Sequence, residues 1–329
     1  MKKRKLGRQG LEVSEIGLGC MGMSFAYGAA DPKESARVLH RAIDLGIDFF
    51  DTAEIYGPWT NEEFLGRELG PKRHKVLIAT KFGFKLGPNG ERQGVDSRPA
   101  SLRRAVEASL KRLRTDHIDL LYQHRLDPAT PIEDTVAEMG RLVKEGKARF
   151  LGLSEVGAKT LRRAHAVHPI SALQSEYSLW ETGIEARVLP VLRELGVGLV
   201  PYSPVGRGFL TGAIKSPEDF APNDFRRLSP RFSPENFSKN LQLVDEVRRI
   251  AAAHGATASQ AALAWLLRRG PDMVPIPGTT RVAHLEENAA AASLALPESA
   301  WTAVDALIRD FRVSGLRYPP ELMKMVEAD

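Results

Sequence analysis

Cysteine is nearly absent from this 329-residue sequence; Cys20 stands alone. An intrachain disulfide is therefore excluded, a buried thiol is the expected role, and a reducing, cytoplasmic setting fits. No apolar run approaches the roughly 20 residues that cross a bilayer, so no membrane partner is expected. The basic start, Met1 to Lys5, is not followed by an apolar stretch of signal-peptide length. A concentrated block of positive charge is also missing. The formal net charge is +5 and the isoelectric point about 9.3, yet Lys and Arg are scattered over most expected helices. Even the basic stretch with Arg103, Arg104, Lys111, Arg112 and Arg114 reads as a solvated helix face. Without clustered aromatics beside such charge, nucleic acid is not an expected partner. His40, His74, His165, His168 and His254 lack ligand spacing with Cys or carboxylates, so no metal is expected.

What is present is a rhythm. Eight short apolar runs recur: Ile16 to Gly19, Ile47 to Phe50, Val76 to Ala79, Ile118 to Tyr122, Arg149 to Leu153, Ile170 to Leu173, Val197 to Val200 and Met273 to Ile276. Segments with helical apolar spacing lie between them, such as Val38, Leu39, Ala42, Ile43 and Leu45. Asp31-Pro32 and Ser101 read as helix starts, and Gly46, Gly146 and Gly196 as stops. Near-continuous apolar strands alternating with amphipathic helices imply parallel strands buried on both faces. The expected fold is thus α/β, a (β/α)8 TIM barrel in one domain spanning 1–329, with a doubly wound open sheet as the other topology. A hairpin around Gly7-Arg8-Gln9-Gly10 precedes it and an extra C-terminal helix follows. Lys85 to Arg98 and Pro201 to Lys239 are long enough to be functional loops.

Three successive runs end in chemistry. The second leads into Asp51-Thr-Ala-Glu-Ile-Tyr56-Gly57, the third into Thr80-Lys81 and the fourth into Gln123-His124. Strand ends of one face carry the active site in such a barrel. A lysine at the end of a buried strand needs a carboxylate, and Asp51 is the neighbour that can supply one. Taken alone, that pair is equally a structural ion pair. Tyr56 changes the balance: a phenol ordinarily titrates near 10, and a nearby ammonium favours its ionised form. A neutral His124 can donate a hydrogen bond to a carbonyl oxygen. An acid, a cation and a donor around one oxygen suit carbonyl reduction, and no activated nucleophile points to hydrolysis. Because no side chain supplies a hydride, a nicotinamide cofactor is implied.

These segments resemble the aldo-keto reductase superfamily nearly end to end. The matching stretches are Gly17-Leu-Gly-Cys-Met-Gly-Met23, Phe50-Asp-Thr-Ala-Glu-Ile-Tyr-Gly57, Ile78-Ala-Thr-Lys81, Ile118-Asp-Leu-Leu-Tyr-Gln-His124, Gly152-Leu-Ser154, Gln174, Tyr202-Ser-Pro-Val-Gly-Arg-Gly208 and Ile276-Pro-Gly-Thr279. The pattern looks closest to the bacterial and plant branch of auxin-induced-like and perakine-reductase-like enzymes. The resemblance implies an Asp51, Tyr56, Lys81, His124 tetrad with Tyr56 as proton donor, NADPH as cofactor with NADH weaker, and an aldehyde or ketone substrate. A second reading is a cofactor-sensing barrel with little turnover, like the potassium-channel β subunits of the same superfamily.

The same resemblance places the cofactor. Gly22, Met23 and Asp51 would contact it; Ser154 and Gln174 offer hydrogen bonds to its carboxamide; Tyr202 would stack on the nicotinamide. Ser203, Pro204, Gly206, Arg207 and Gly208 suit a pyrophosphate. Gly278, Thr279, Thr280 and Arg281 enter a helix N-terminus fit for an adenosine 2′-phosphate, followed by His284, Glu287 and Asn288 for the adenine side. Two positions depart from the family: Glu155 stands where Asn is frequent, and Gly278 where many members have Lys. Phe25, Tyr27, Trp59, Phe82, Arg125 and Trp180, with His124, are the expected walls of the substrate pocket.

Overall fold

The computed structural model describes residues 1–24 and 26–327. Seven strands form one parallel sheet in the order β3 (Leu18–Gly19), β4 (Phe49–Asp51), β5 (Leu77–Phe82), β8 (Ile118–Gln123), β9 (Ala148–Ser154), β10 (Ala172–Glu176) and β11 (Gly198–Tyr202). Helices α1 (Pro32–Asp44), α2 (Thr60–Leu69), α3 (Pro99–Leu113), α4 (Ile132–Lys144), α5 (Ala158–Val167) and α6 (Val188–Leu195) alternate with them; α7 (Pro234–Ala252), α8 (Ala258–Arg268), α9 (Val282–Ala290) and α10 (Glu298–Asp310) complete the ring. This is the expected (β/α) barrel.

The eighth run does not become a regular strand. Its Val274 and Ile276 N–H groups donate to Leu199 O at 2.9 Å and Pro201 O at 3.1 Å, joining it to β11. On its other side Pro275 and Pro277 have no N–H, so they only accept, from Gly17 N at 3.0 Å and Gly19 N at 3.3 Å. The barrel therefore closes through a one-sided ladder. Its floor is sealed by the predicted hairpin, β1 (Lys3–Leu6) and β2 (Leu11–Ser14). Leu6, Leu11 and Val13 enter the barrel interior, and Arg4 Nη1 donates to Gly270 O at 2.6 Å and Met273 O at 3.1 Å.

Two apolar layers follow from the two-residue period of a strand. Phe49, Ala79, Leu120, Tyr122, Ala172 and Val200 point inward, while Phe50, Ile78, Phe82, Leu121 and Leu173 pack outward against the helices. Extending the inward series one pleat toward the C-terminal ends reaches Asp51, Lys81, His124, Gln174 and Tyr202. Phe82 follows Lys81 and so faces away from the barrel axis; it is core, not pocket wall.

Local signals in the sequence match the element ends to within a few residues. Asp31 caps α1, accepting from Lys33 N at 2.8 Å, and Gly46 and Gly196 end their helices with φ of 80° and 66°. Helix α3 starts at Pro99 instead of Ser101, because proline is preset for a first helical turn. The excursion from Lys85 is largely an antiparallel hairpin, β6 (Phe84–Leu86) and β7 (Arg92–Val95). The one from Pro201 is a chain of short 3-10 turns that runs into α7 five residues before Lys239.

The tightest approach inside the barrel is at Gly152, where an added Cβ would lie 2.4 Å from the Tyr122 ring and 3.0 Å from Ala172 O. Both neighbours are fixed in strands. Gly152→Ala should therefore cost about 1–3 kcal/mol of stability, the usual range for overpacking; an unchanged urea midpoint would show that the interior can give way.

Candidate active site

The four side chains at or after the ends of three successive barrel strands meet. Lys81 Nζ donates to Asp51 Oδ1 at 2.5 Å, Thr52 O at 2.8 Å and Tyr56 Oη at 3.3 Å, so a buried ammonium has all three protons placed. The second Asp51 oxygen accepts from Gln174 Nε2 at 2.7 Å. The His124 ring stands edge-on to Tyr56, with centroids 5.9 Å apart, and to Phe84 at 5.0 Å.

Tyr56 lies on a loop, yet that loop is bolted down. Thr52 N donates to Ala79 O at 2.9 Å and Glu54 N to Lys81 O at 3.2 Å, continuing the strand ladder past Asp51. Buried Asn61 accepts from Thr52 Oγ1 at 2.6 Å and donates to Cys20 O at 2.9 Å. Glu54 Oε1 accepts from Gly83 N at 3.0 Å, tying the Tyr56 loop to the segment that follows Lys81.

Burial governs the electrostatics. It lowers the His124 pKa well below the usual 6.5, helped by the charges of Arg125 and Lys81, so the ring is neutral. Burial and then the Asp51 charge push the Tyr56 phenol well above 10. This reverses the sequence expectation of a depressed phenol: burial dominates, and the Asp51 charge adds to it. Burial likewise pushes Asp51 up and Lys81 down, against their mutual attraction.

A cavity of about 690 Å³ opens above these groups and runs to the N-terminus of α9. Gly22, Ser154, Gln174, Tyr202, Ser203, Pro204, Arg207, Gly208, Gly278, Thr279, Thr280, Arg281, His284, Glu287 and Asn288 all line it, as do Tyr27 and Arg125. Several expected residues do not. Met23 is buried in the outer apolar layer, with Met21 in the wall instead. Gly206 lies behind its neighbours, with the Trp180 indole 3.0 Å from where its Cβ would be. Trp180 stacks on Phe209 at 4.9 Å beneath the 3-10 turns, outside the cavity lining, as is half-buried Trp59, which precedes α2. Phe25 lies outside the described residues.

Arg207, expected to suit a pyrophosphate, already has a partner in the protein. It is buried, and its Nη2 donates to Glu176 Oε2 at 3.1 Å; its Nη1 has no hydrogen-bond partner among the described residues. The sequence also gave no sign that the segment after α10 forms part of the wall. Tyr318, Leu322 and Met325 line the cavity, and Tyr318 Oη is 2.9 Å from Tyr202 Oη. This segment explains Glu155, whose φ of 57° lies in a region better suited to Asn. Arg317 grips its carboxylate bidentately at 2.6 and 2.9 Å, and Glu327 in turn accepts from Gly157 N at 2.7 Å and Thr160 Oγ1 at 2.7 Å at the start of α5. Burial alone would raise the Glu155 carboxyl; Arg317 and Arg125 hold it below its usual 4.5. A carboxylate at a buried strand end was the one available hint that a distant arginine must return to it.

Asp51, Tyr56 and His124 lie at one end of this long cavity and Arg281, at the start of α9, at the other. The family model described as Aldo/keto reductase family matches residues 15–309. The chain belongs to that family. It is 44% identical over 318 residues to the probable aldo-keto reductase 1 of Glycine max, covering 95% of this chain and 91% of the relative. Its structure matches that of the glycerol dehydrogenase AKR11B4 from Gluconobacter oxydans with a TM-score of 0.85 at 29% identity, covering 97% and 98% of the two chains. As a family member the protein is an NAD(P)H-dependent oxidoreductase acting on carbonyl or alcohol groups.

The bolt at Glu54 gives this reductase a pH signature. Burial, then the charge of Glu62, lifts its carboxyl from 4.5 to about 8, against the Gly83 N–H and the charge of Arg112. A raised folded-state pKa means the native form keeps a proton the unfolded chain releases. That stability is complete below the unfolded value and disappears as pH rises through about 8. Urea unfolding at several pH values should show wild-type stability falling over this interval more steeply than that of Glu54→Gln; parallel curves would contradict it.

Proposed function

We propose that this chain is an NADPH-dependent aldo-keto reductase that converts aldehydes or ketones to alcohols in the cytoplasm, with Asp51, Tyr56, Lys81 and His124 as its catalytic residues. The observation that carries the reading is the contact of Lys81 Nζ with both Asp51 Oδ1, at 2.5 Å, and Tyr56 Oη, at 3.3 Å, beside a neutral His124 on the cavity wall.

The residues present fit a nicotinamide dinucleotide. Tyr202 offers a flat ring near the tetrad, Arg207 a buried Nη1 with no partner among the described residues, and Arg281 a guanidinium with no carboxylate at ion-pair distance among them. The cofactor, when bound, supplies the hydride. His124 orients the substrate by donating a ring N–H to its carbonyl oxygen. Tyr56 delivers its proton to that oxygen as negative charge develops there, and the Lys81 ammonium at 3.3 Å stabilises the phenolate left behind. Asp51 and Gln174 keep Lys81 in place, and the high phenol pKa keeps the proton loaded until an alkoxide forms to take it.

Tyr56→Phe should lower turnover of an aldehyde by about a hundredfold or more, the usual reach of a positioned acid, while NADPH still quenches tryptophan fluorescence with a Kd near wild type. Full activity in that variant would remove Tyr56 from the role.

Preference for NADPH rests on Arg281, since position 278 is glycine and the first N–H of α9, at Val282, turns toward Glu34 Oε1 at 3.4 Å. NADH is expected to bind more weakly. Arg281→Ala should weaken NADPH binding about tenfold, in line with a lost charge-assisted hydrogen bond, and leave the NADH Kd nearly where it was; an equal loss for both cofactors would show that Arg281 does not read the 2′-phosphate.

A further inference from the structure

The charge lining the cavity is lopsided. Five arginines face it, Arg92, Arg125, Arg207, Arg226 and Arg281, against the carboxylates Asp51 and Glu287. Arg207 and Arg226 are paired with Glu176 and Asp224, and Arg281 sits at the α9 end. Arg92 and Arg125 remain, and among the described residues no carboxylate lies at ion-pair distance from either.

Arg125 is the better placed. Its Nη1 donates to two neutral acceptors, His124 O at 2.7 Å and Ser154 Oγ at 3.1 Å, while its Nε and Nη2 have no acceptor among the described residues. The nearest acid whose field it feels, Glu155, is already held bidentately by Arg317. Nε and Nη2 form the edge of a guanidinium that matches the two oxygens of a carboxylate. Arg92 stands farther out on β7, 5.9 Å over the Phe84 ring, which packs edge-on against His124. Both cations are thus one contact from the ring that would hold the carbonyl. Arg125 feels the field of Glu155 but has no carboxylate in contact among the described residues, and an incoming anion would supply one.

We infer that the substrate of this site is a carbonyl compound that also bears a carboxylate, seated on the Nε and Nη2 edge of Arg125 with Arg92 at the rim. This rests on the carbonyl-reductase reading and adds the substrate class to it. Arg125 acts as a specificity-determining residue: it binds the far end of the substrate and fixes the distance from carboxylate to reacting carbon.

The test pairs 4-carboxybenzaldehyde with 4-nitrobenzaldehyde, similar in size, the nitro compound being the more electrophilic, so that intrinsic reactivity works against the prediction. Wild type should favour the carboxylate in kcat/KM by about tenfold or more, the range of a hydrogen bond to a charged group, with a KM that rises with ionic strength for that substrate alone. Arg125→Gln should bring the ratio toward one through KM, Arg125→Lys should keep part of it, and Arg92→Gln, at an exposed position with no risk to folding, should reduce it less. A wild-type ratio near one, or a ratio that survives Arg125→Gln, overturns the inference and leaves the reductase reading standing. Binding of 4-(hydroxymethyl)benzoate by calorimetry separates the failures: tight, Arg125-dependent binding without turnover of either aldehyde would sink the reductase reading alone, and no binding together with no turnover would sink both.

Discussion

A lysine ammonium shut away from water dictates much of what surrounds it. Lys81 is almost fully buried at the mouth of the barrel, and its three protons go to Asp51, Thr52 O and Tyr56 Oη. Removing any acceptor would strand charge or a donor in a low-dielectric interior, at a cost of several kcal/mol. The arrangement therefore propagates outward: Gln174 satisfies the second Asp51 oxygen, the strand ladder continues from β4 into the Tyr56 loop, and Glu54 and Asn61 close that loop. Reactivity and rigidity arise from the same requirement.

A second charged assembly, centred on Glu176 two residues beyond Gln174, holds the wall built by the loop after β11 and the C-terminal segment. Glu176, at the end of β10, pairs with Arg207 at 3.1 Å and Arg231 at 3.5 Å and lies 3.8 Å from Arg317. Arg317 brings the C-terminal segment onto Glu155, and the Arg207 guanidinium lies 4.5 Å over the Tyr318 ring. Loop, strand ends and C-terminal segment are thus one electrostatic unit around the cavity. Buried charge of both signs explains why Arg207, a basic residue in a glycine-containing loop, is not simply a cation waiting for phosphate.

The pleat decides which strand-end side chains face the cavity. Asp51, Lys81, His124, Gln174 and Tyr202 lie on the inward series; all but Lys81, which is buried beneath Asp51 and Tyr56, line the cavity. Phe82 is one residue out of phase and points to the helices. Trp180 lies beyond its strand, where only the packing of Phe209 and Phe232 decides its direction. Aromatic identity alone carries no information on facing, whereas strand parity does.

The sequence by itself determined a parallel α/β sheet buried on both faces and the placing of Asp51, Tyr56, Lys81 and His124 at successive strand ends, because apolar runs alternating with amphipathic helices allow only a closed barrel or an open doubly wound sheet. Tertiary structure alone decided the rest: the proline-interrupted closure of the eighth run, the hairpin that brings Phe84 onto His124 and Arg92 over Phe84, the upward shift of the Tyr56 phenol, and the return of Arg317 to Glu155. These depend on contacts between residues far apart in the chain and on the balance of burial against charge, and neither a local pattern nor a residue's type encodes that balance.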